Sequence, residues 1–399
     1  HHLFQQAAEL HRRFAGYRMV TSSFVSAATV KRVGSFSPRF ARSLARRSHP
    51  QVPASVTRVY PIEHLYQMTA RALHRPYSYF SAHDRMARRI VRDFRPPTAV
   101  LAVDTGAEAL FRAWKGRSRC VLDLTIAVPQ YRSSIFTAAE ADPQNAGVRF
   151  HHPGEWELTR YAAETSLADL ILCPSNFVRE SCLSLGVPED RLRLLPYGFD
   201  PGVFAAPATP PSVDEPLRIV FVGTFCTRKG SHLLLPAFAA VRSAHPTAEL
   251  HVFGEVQDRP ANVPPGVVFH GRVPQPELAK QLGRMHVMAF PTLFEGSAYA
   301  AYQALASGVP VITTRNCGSI VDASCGVILR EPGVPALREA LLHFASDRAA
   351  LARLALAAPL HVRDHTWAQY GARLQSILCG AFPELSASLR PSPAPAALA

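Results

Sequence analysis

The stretch VMAFPTLFEGSA, Val287 to Ala298, decides how this chain is read. Its first four residues form a continuous apolar run, the pattern of a strand buried on both faces. Pro291 ends the run, and a lone carboxylate, Glu295, then precedes three small residues, Gly296, Ser297 and Ala298. The spacing predicts a strand, a turn and a helix opening at Gly296. Units of this kind build parallel sheets, because a parallel neighbour is reached only through a crossover.

The same alternation runs outward in both directions. Upstream, Arg218–Val222, Glu249–Phe253 and Val267–His270 read as strands, with a helix over Ser231–Ala244. Downstream comes a strand at Val309–Thr313, then helices over Pro335–Phe344, Ala349–Val362 and Trp367–Cys379. Residues 200–216 carry Pro201, Pro207, Pro210, Pro211 and Pro216 among Ala, Ser and Thr, the composition of an interdomain linker. Before it the pattern appears once more. Strands are predicted near Tyr17–Thr21 and at Thr98–Val103, Arg119–Asp123, Leu170–Cys173 and Arg191–Leu195. Helices are predicted over Leu3–Ala15, Ile62–Leu73, Tyr77–Phe94, Gly106–Trp114 and Glu155–Ala168, with Ser175 capping another that runs to Leu185. The expectation is an α/β protein of two Rossmann-like domains whose parallel sheets face each other across a cleft. The domains span 1–199 and 217–364, the linker 200–216, a closing helix 365–385, and a Pro- and Ala-rich tail, expected to be disordered, 386–399. Ligands in such sheets gather at the carboxyl ends of the strands.

Composition narrows the function. The 399 residues are 48% hydrophobic and 18% charged, as in an ordinary globular protein, and no apolar run approaches the ~20 residues of a membrane-spanning helix. Seven cysteines are scattered without a C-x-x-C pair, which argues against a disulfide framework and a zinc site and for reduced thiols in a cytoplasm. His1-His2-Leu3 shows neither an initiator Met nor a signal peptide and reads as an incomplete or processed start, or a tag remnant. Of the net charge of +13, most falls in residues 1–200, with 27 Lys and Arg against 17 Asp and Glu. The arginines concentrate in Arg39–Arg47 and Arg85–Arg95. No nucleic-acid module accompanies them, so nucleic acid is not expected as a partner. An anionic membrane surface, which attracts each basic residue by about 1 kcal/mol, is one reading, and a solvated surface is the other.

Three strand ends carry the chemistry. In Phe221–Gly230, Gly223 and Thr224 form a turn and the cations Arg228 and Lys229 stand where a helix begins, an arrangement that can hold a diphosphate. In the opening stretch, Glu295 can accept hydrogen bonds from sugar hydroxyls while Gly296, Ser297 and Ala298 allow close approach to the backbone. In His270–Pro274, Gly271, Arg272 and Val273 offer a backbone against which a flat base can lie. The plainer alternatives are solvated loop cations and an N-cap carboxylate.

In this order and at these spacings the segments resemble the retaining glycosyltransferases of family 4, which have the GT-B fold. DLILCPSNFV (169–178) with LPYGFD (195–200) is similar to the end of that family's first domain, and FEGSA (294–298) continuing to QALASGVPV (303–311) is similar to its donor-site helix. The resemblance implies a hexosyltransferase that moves a sugar from a nucleotide diphosphate sugar to a glycan or lipid-linked acceptor with retention of configuration. Lys229 would neutralise the leaving diphosphate, Glu295 would hold sugar hydroxyls, and Gly271 to Val273 would read the base. It further implies no metal and no cofactor, a closing helix that crosses back to the first domain, and a cytoplasmic location with peripheral contact at the inner membrane face. Several features depart from the family. Gln303 stands where a second glutamate would hold the ribose, Thr224 replaces an arginine, and the opening strand of the first domain does not precede His1. Asp123 remains as the polar group on the acceptor side. A catalytically impaired relative that binds a nucleotide sugar or glycan without turnover is the alternative.

Overall fold

The computed structural model describes residues 2–37, 44–45, 47–73, 79–258, 260 and 262–391. His1 and most of the Arg39–Arg47 stretch lie outside the described residues.

The first domain carries two parallel sheets. A short ribbon pairs β1 (Met19–Thr21) with β2 (Thr57–Val59). A four-stranded sheet runs in sequence order through β3 (Ala99–Val103), β4 (Arg119–Asp123), β5 (Leu170–Cys173) and β6 (Leu192–Leu194). β5 is buried at every position and β4 at all but Arg119, which is why both read as apolar runs rather than as alternation. Phe111, Trp114, Leu122, Ile171 and Phe177 fill the layer between this sheet and its helices.

The second domain is one parallel sheet of six strands: β7 (Arg218–Val222), β8 (Glu249–Phe253), β9 (Val267–Gly271), β10 (Val287–Phe290), β11 (Val311–Thr314) and β12 (Gly326–Leu329). Their order across the sheet is β9-β8-β7-β10-β11-β12. The chain builds outward from β7 to one edge, returns, and builds outward from β10 to the other. Between β7 and β10 the connections diverge to opposite sides, so a crevice opens beyond the carboxyl ends of those two strands. Sheet topology therefore brings the turns that begin at Gly223 and Pro291 together, although some seventy residues separate them.

Several elements differ from expectation. No pattern in the residues announced β2, β12, or the helices Ala27–Gly34 and Pro129–Ala141. Residues 200–216 hold no helix or strand, yet Phe204 is buried in the core and anchors the segment. The closing helix, Trp367–Ala381, lies against the first helix, His2–Arg13: Arg13 donates to the Ala368 carbonyl at 2.7 Å, and Gly371 is packed against Glu9. Order extends past Ser386, where the tail was expected to lose it. Leu389 bridges antiparallel to Phe14, with Ala15 donating to Ser388 and Arg390 to Arg13. Those backbone bonds hold the chain to Pro391; the remaining tail lies outside the described residues.

Candidate functional site

Three glycines line the carboxyl edge of the second sheet. Gly223 after β7 and Gly254 after β8 have φ of 140° and 142°, and Gly271 ends β9 at 67°, all disfavoured for residues with a Cβ. Gly223 donates to Phe253 and Gly254 to Gly271, and Gly254 sits directly on the Gly223 carbonyl. The strand ends are thus stripped of side chains where a ligand would approach. Sequence reading missed Gly254, although a glycine directly after a buried strand was the available signal.

The loops after β7, β10 and β11 are stitched into one unit. Leu293 donates its amide to the Arg228 carbonyl at 2.9 Å, and Thr292 Oγ1 donates to the Phe294 carbonyl at 3.0 Å. Thr314 Oγ1 donates to the Thr292 carbonyl at 2.7 Å, and Asn316 Nδ2 to Leu293 at 2.8 Å. Gly230, left-handed at φ 79°, is pressed against the Pro291 carbonyl, where a methyl group would overlap it. Few conformations survive this many constraints, so charged side chains carried by these loops are held in place.

Those side chains are Arg228, Lys229 and Glu295. Arg228 Nη1 lies 2.7 Å and Lys229 Nζ 3.0 Å from the same oxygen, Glu295 Oε1. Each cation also leans on an aromatic face, Arg228 over Phe294 and Lys229 over Phe290, at 5.6 and 5.2 Å. Lys229 Nζ lies close over Gly223, where an added Cβ would meet it at 3.2 Å. Glu295 is only 14% exposed. Burial by itself would raise its carboxyl, but the charges of Arg228 and Lys229 outweigh that and hold its pKa below the ordinary value. Two cations share one carboxylate, so one positive charge is left uncompensated beside the crevice.

The turn after Glu295 differs from its sequence reading. The helix begins at Tyr299, not Gly296, and runs to Ala306. Its would-be first turn is diverted because the amides of Glu295 and Ala298 donate to the carbonyls of Asn316 and Cys317, at 2.8 and 3.1 Å. Ala298's amide is therefore committed within the fold. The Gly296 carbonyl accepts from Ser175 Oγ at 2.5 Å, and its Cα rests on the Thr125 carbonyl and Ile126 of the first domain. Any side chain at 296 would overlap that backbone. Ser297 is buried with its hydroxyl 3.1 Å from that of Tyr302. Gln303 is buried too, and with Gln275 and Trp367 it faces the Tyr299 hydroxyl, whose pKa burial raises against those contacts. Thr224 lies half-buried in the loop after Gly223, and Val273 packs on the edge of the core. Arg272 is turned to the surface, paired with Glu255.

Asp123 sits at the end of β4 but is only 2% exposed and faces inward. Gln6 Nε2 donates to it at 3.0 Å and to the Tyr370 hydroxyl at 2.8 Å, tying the first domain to the closing helix. Burial, with the neighbouring Asp104 adding to it and the Gln6 bond opposing, pushes the Asp123 pKa up to about 7. Asp104 is buried as well, accepting from Tyr161, and Glu164, buried and also raised to about 7, accepts from the amides of Thr105, Ala107 and Glu108. Sequence reading passed over Asp104 and Glu164, because nothing in their spacing marks them as neighbours.

Two parallel α/β units closed on each other at Gly296, with charged loops at the crevice of the second, match solved structures of one kind. Over 91% of this chain and 99% of its own, the Anabaena protein HepE, crystallised with UDP-glucose, superposes with a TM-score of 0.59 at 14% identity. Sucrose-phosphate synthase from Thermosynechococcus elongatus does so with a TM-score of 0.60 at 18% identity, over 76% and 79% of the two chains. The fold is GT-B. Residues 216–347, the GT-B half that bears Arg228, Lys229 and Glu295, match the family model described as Glycosyl transferases group 1. Among curated proteins, glycogen synthase of Mycobacterium tuberculosis (strain ATCC 25618 / H37Rv) is 26% identical over 200 residues, 47% of this chain and 48% of that protein. D-inositol 3-phosphate glycosyltransferase of Arthrobacter sp. (strain FB24) is 26% identical over 199 residues, 45% and 47% of the two chains. The chain spans about half the length of the curated relatives it matches.

Proposed function

We propose that this GT-B protein is a retaining hexosyltransferase that takes a nucleotide diphosphate sugar as donor and a glycan or lipid-linked molecule as acceptor. The observation that carries the reading is the ion cluster at the crevice, Arg228 and Lys229 sharing Glu295. The Glu295 carboxylate holds the place between the two cations that an anion would take. A donor would exchange with it: its diphosphate takes Lys229 and Arg228, and the released Glu295 carboxylate accepts hydrogen bonds from sugar hydroxyls. During transfer the bond from the anomeric carbon to the diphosphate oxygen breaks, and the acceptor oxygen bonds that carbon from the same face. The acceptor's proton passes to the departing diphosphate. Two fixed cations would stabilise the developing negative charge, with no metal required for that step. The glycine-lined edge ending in Gly271 to Val273 would hold the base, and Gln303 the ribose. The activities named for the matched relatives support the reaction class.

A reading with binding but no turnover has its own observation: Gln303 is neutral, buried and turned to Tyr299. Nucleoside diphosphate release, measured over a panel of nucleotide sugars with acceptor mixtures, separates the two. A transferase releases diphosphate with one donor and loses at least 100-fold of that rate in Glu295→Ala. Donor binding without release supports the non-catalytic reading, and neither binding nor release sinks both.

For location we propose a cytoplasmic protein in peripheral contact with an anionic membrane face. No helix among the described residues is long and apolar enough to cross a membrane. On the helix Pro61–Ala72 and just beyond it, Ile62, Leu65, Tyr66 and Leu73 are each more than half exposed. Arg88, Arg92 and Arg95 are exposed on and just after the neighbouring helix, Tyr79–Asp93, whose Arg85 stands over the Tyr66 ring at 5.2 Å, so basic and apolar groups adjoin where the two helices meet. Salt-sensitive co-sedimentation with anionic vesicles is expected, and its absence would remove this placement.

A further inference from the structure

On the second domain, away from the ion cluster, three side chains of metal-ligating type meet. The chain leaves β11 through the turn Arg315–Cys317 and returns to the sheet at β12, which starts directly after Cys325. Asp322 opens the last turn before Cys325 and donates its amide to Cys325 Sγ at 3.5 Å. His361 arrives from the last turn of the helix Arg348–Val362. One ligand atom of each lies within 4.8 Å of the other two.

We propose that Asp322, Cys325 and His361 form a binding site for a zinc-like divalent transition metal, with the fourth position left to water. The distances suit the ion. His361 Nδ1 is 3.7 Å from Asp322 Oδ2, and Cys325 Sγ is 3.8 Å from Asp322 Oδ1. Tetrahedral zinc with sulfur at ~2.3 Å and nitrogen or oxygen at ~2.0 Å needs ligand separations of roughly 3.3–3.6 Å, so the His361–Asp322 Oδ2 pair at 3.7 Å is nearly in place and Cys325 Sγ, within 4.8 Å, closes by at most about 1.5 Å. The atoms not needed for the metal are already held. His361 Nε2 donates to the Ile320 carbonyl at 2.6 Å, which turns Nδ1 toward the other two ligands. Ser324 donates its amide and hydroxyl to Asp322 Oδ1 at 2.8 and 2.6 Å, leaving Oδ2 for the ion. With the Ser324 proton spent there, Nδ1 has two acceptor oxygens beside it, Ser324 Oγ at 3.3 Å and Asp322 Oδ2 at 3.7 Å. A ring nitrogen set beside acceptors is a place for a cation.

The donor set chooses the class. Thiolate with imidazole and one carboxylate favours zinc or cobalt over magnesium or calcium, which take oxygen. Access is direct, since the Asp322 side chain is 56% exposed and that of His361 23%, while Cys325 forms the floor. The ion would clip the β11–β12 connection to the end of the helix that precedes the closing helix. The same connection supplies the Asn316 and Cys317 carbonyls that hold the turn after Glu295. We assign the metal a structural part, and this assignment does not depend on the reaction proposed above.

The test uses the full chain, stripped with a chelator and titrated with Co²⁺. Expected are a thiolate-to-cobalt charge-transfer band and tetrahedral visible absorption saturating at one equivalent, both displaced by Zn²⁺. Cys325→Ser should abolish the charge-transfer band, and Cys379→Ser should leave it intact. His361→Gln should weaken binding at least tenfold with unchanged circular dichroism. No thiolate band in the folded full chain, or a band that survives Cys325→Ser, would overturn the proposal and leave an Asp322–His361 contact above a buried thiol.

Discussion

At the end of β10, Glu295 stands between two cations on loops that belong to its own domain. At the ends of β3 and β4, Asp104 and Asp123 are buried against neutral partners, Tyr161, Thr125 and Gln6. Both arrangements put carboxylates at the carboxyl ends of parallel strands, yet they bias the proton in opposite directions. The cations hold Glu295 ionised, whereas burial holds protons on Asp123 and Glu164 up to about pH 7. One half of the molecule presents fixed charge, and the other hides charge in its packing. The comparison teaches that strand-end position alone does not set a carboxylate's charge; its partners do.

Where the halves meet, the largest effect is expected. Gly296→Ala would drive a methyl group into the Thr125 carbonyl, so either the turn bearing Glu295 or the first domain must move. Overpacking of this kind costs about 1–3 kcal/mol, and the displaced charge should remove donor-dependent diphosphate release by at least 100-fold. Parallel thermal melts and release assays check this. Activity close to that of the unchanged protein would show that the cleft works open and that the contact at Gly296 is incidental.

The pH dependence of stability sharpens the contrast. Between about pH 4 and pH 7 the folded chain keeps protons on Asp123 and Glu164 that the unfolded chain has released, so their contribution falls as pH rises through that window. Glu295 acts the other way: its contribution is present above the ordinary carboxylate pKa of about 4.3 and is lost as pH falls through that value and below. Asp123→Asn should flatten the decline between pH 5 and pH 8, a relative gain on the order of 2 kcal/mol at pH 8. Denaturant melts across that range measure it. An unchanged slope would mean that Asp123 ionises freely and that the two halves do not differ as described.

The smallest effect belongs to the ribose side. Gln303→Glu would replace a neutral hydrogen bond by a charge-assisted one, worth about 1 kcal/mol, and should tighten donor binding about fivefold. Calorimetry with the active donor reads this directly. Weaker binding would place position 303 outside the donor contacts, committed to Tyr299 alone.

What could be read in the sequence follows from which forces are local. The runs at Thr98–Val103, Leu170–Cys173 and Arg218–Val222 announced strands because every position after Thr98 and Arg218 is apolar, and the two-domain α/β class followed. β2 is three residues long and half exposed, so it left no pattern. The helix Pro129–Ala141 carries Ser, Thr and Gln through a weak apolar stripe. Lys229, Arg228 and Glu295 could be placed in one site, but their sharing of one oxygen depends on how two loops are stitched. The early helix start at Gly296 failed for a similar reason: distant carbonyls of Asn316 and Cys317 take its amides. Asp123 could be placed at its strand end, yet only the arrival of Gln6 from the first helix shows that it faces inward. The Asp322, Cys325 and His361 cluster escaped because a helix from far along the chain completes it.

A structure of the full chain bound to a nucleotide diphosphate sugar tests the central claim most directly. The account predicts the diphosphate beside Lys229 Nζ and Arg228, the Glu295 ion pairs opened, and the Glu295 carboxylate on the sugar hydroxyls. A diphosphate bound elsewhere, or bound with both Glu295 ion pairs intact, would contradict it.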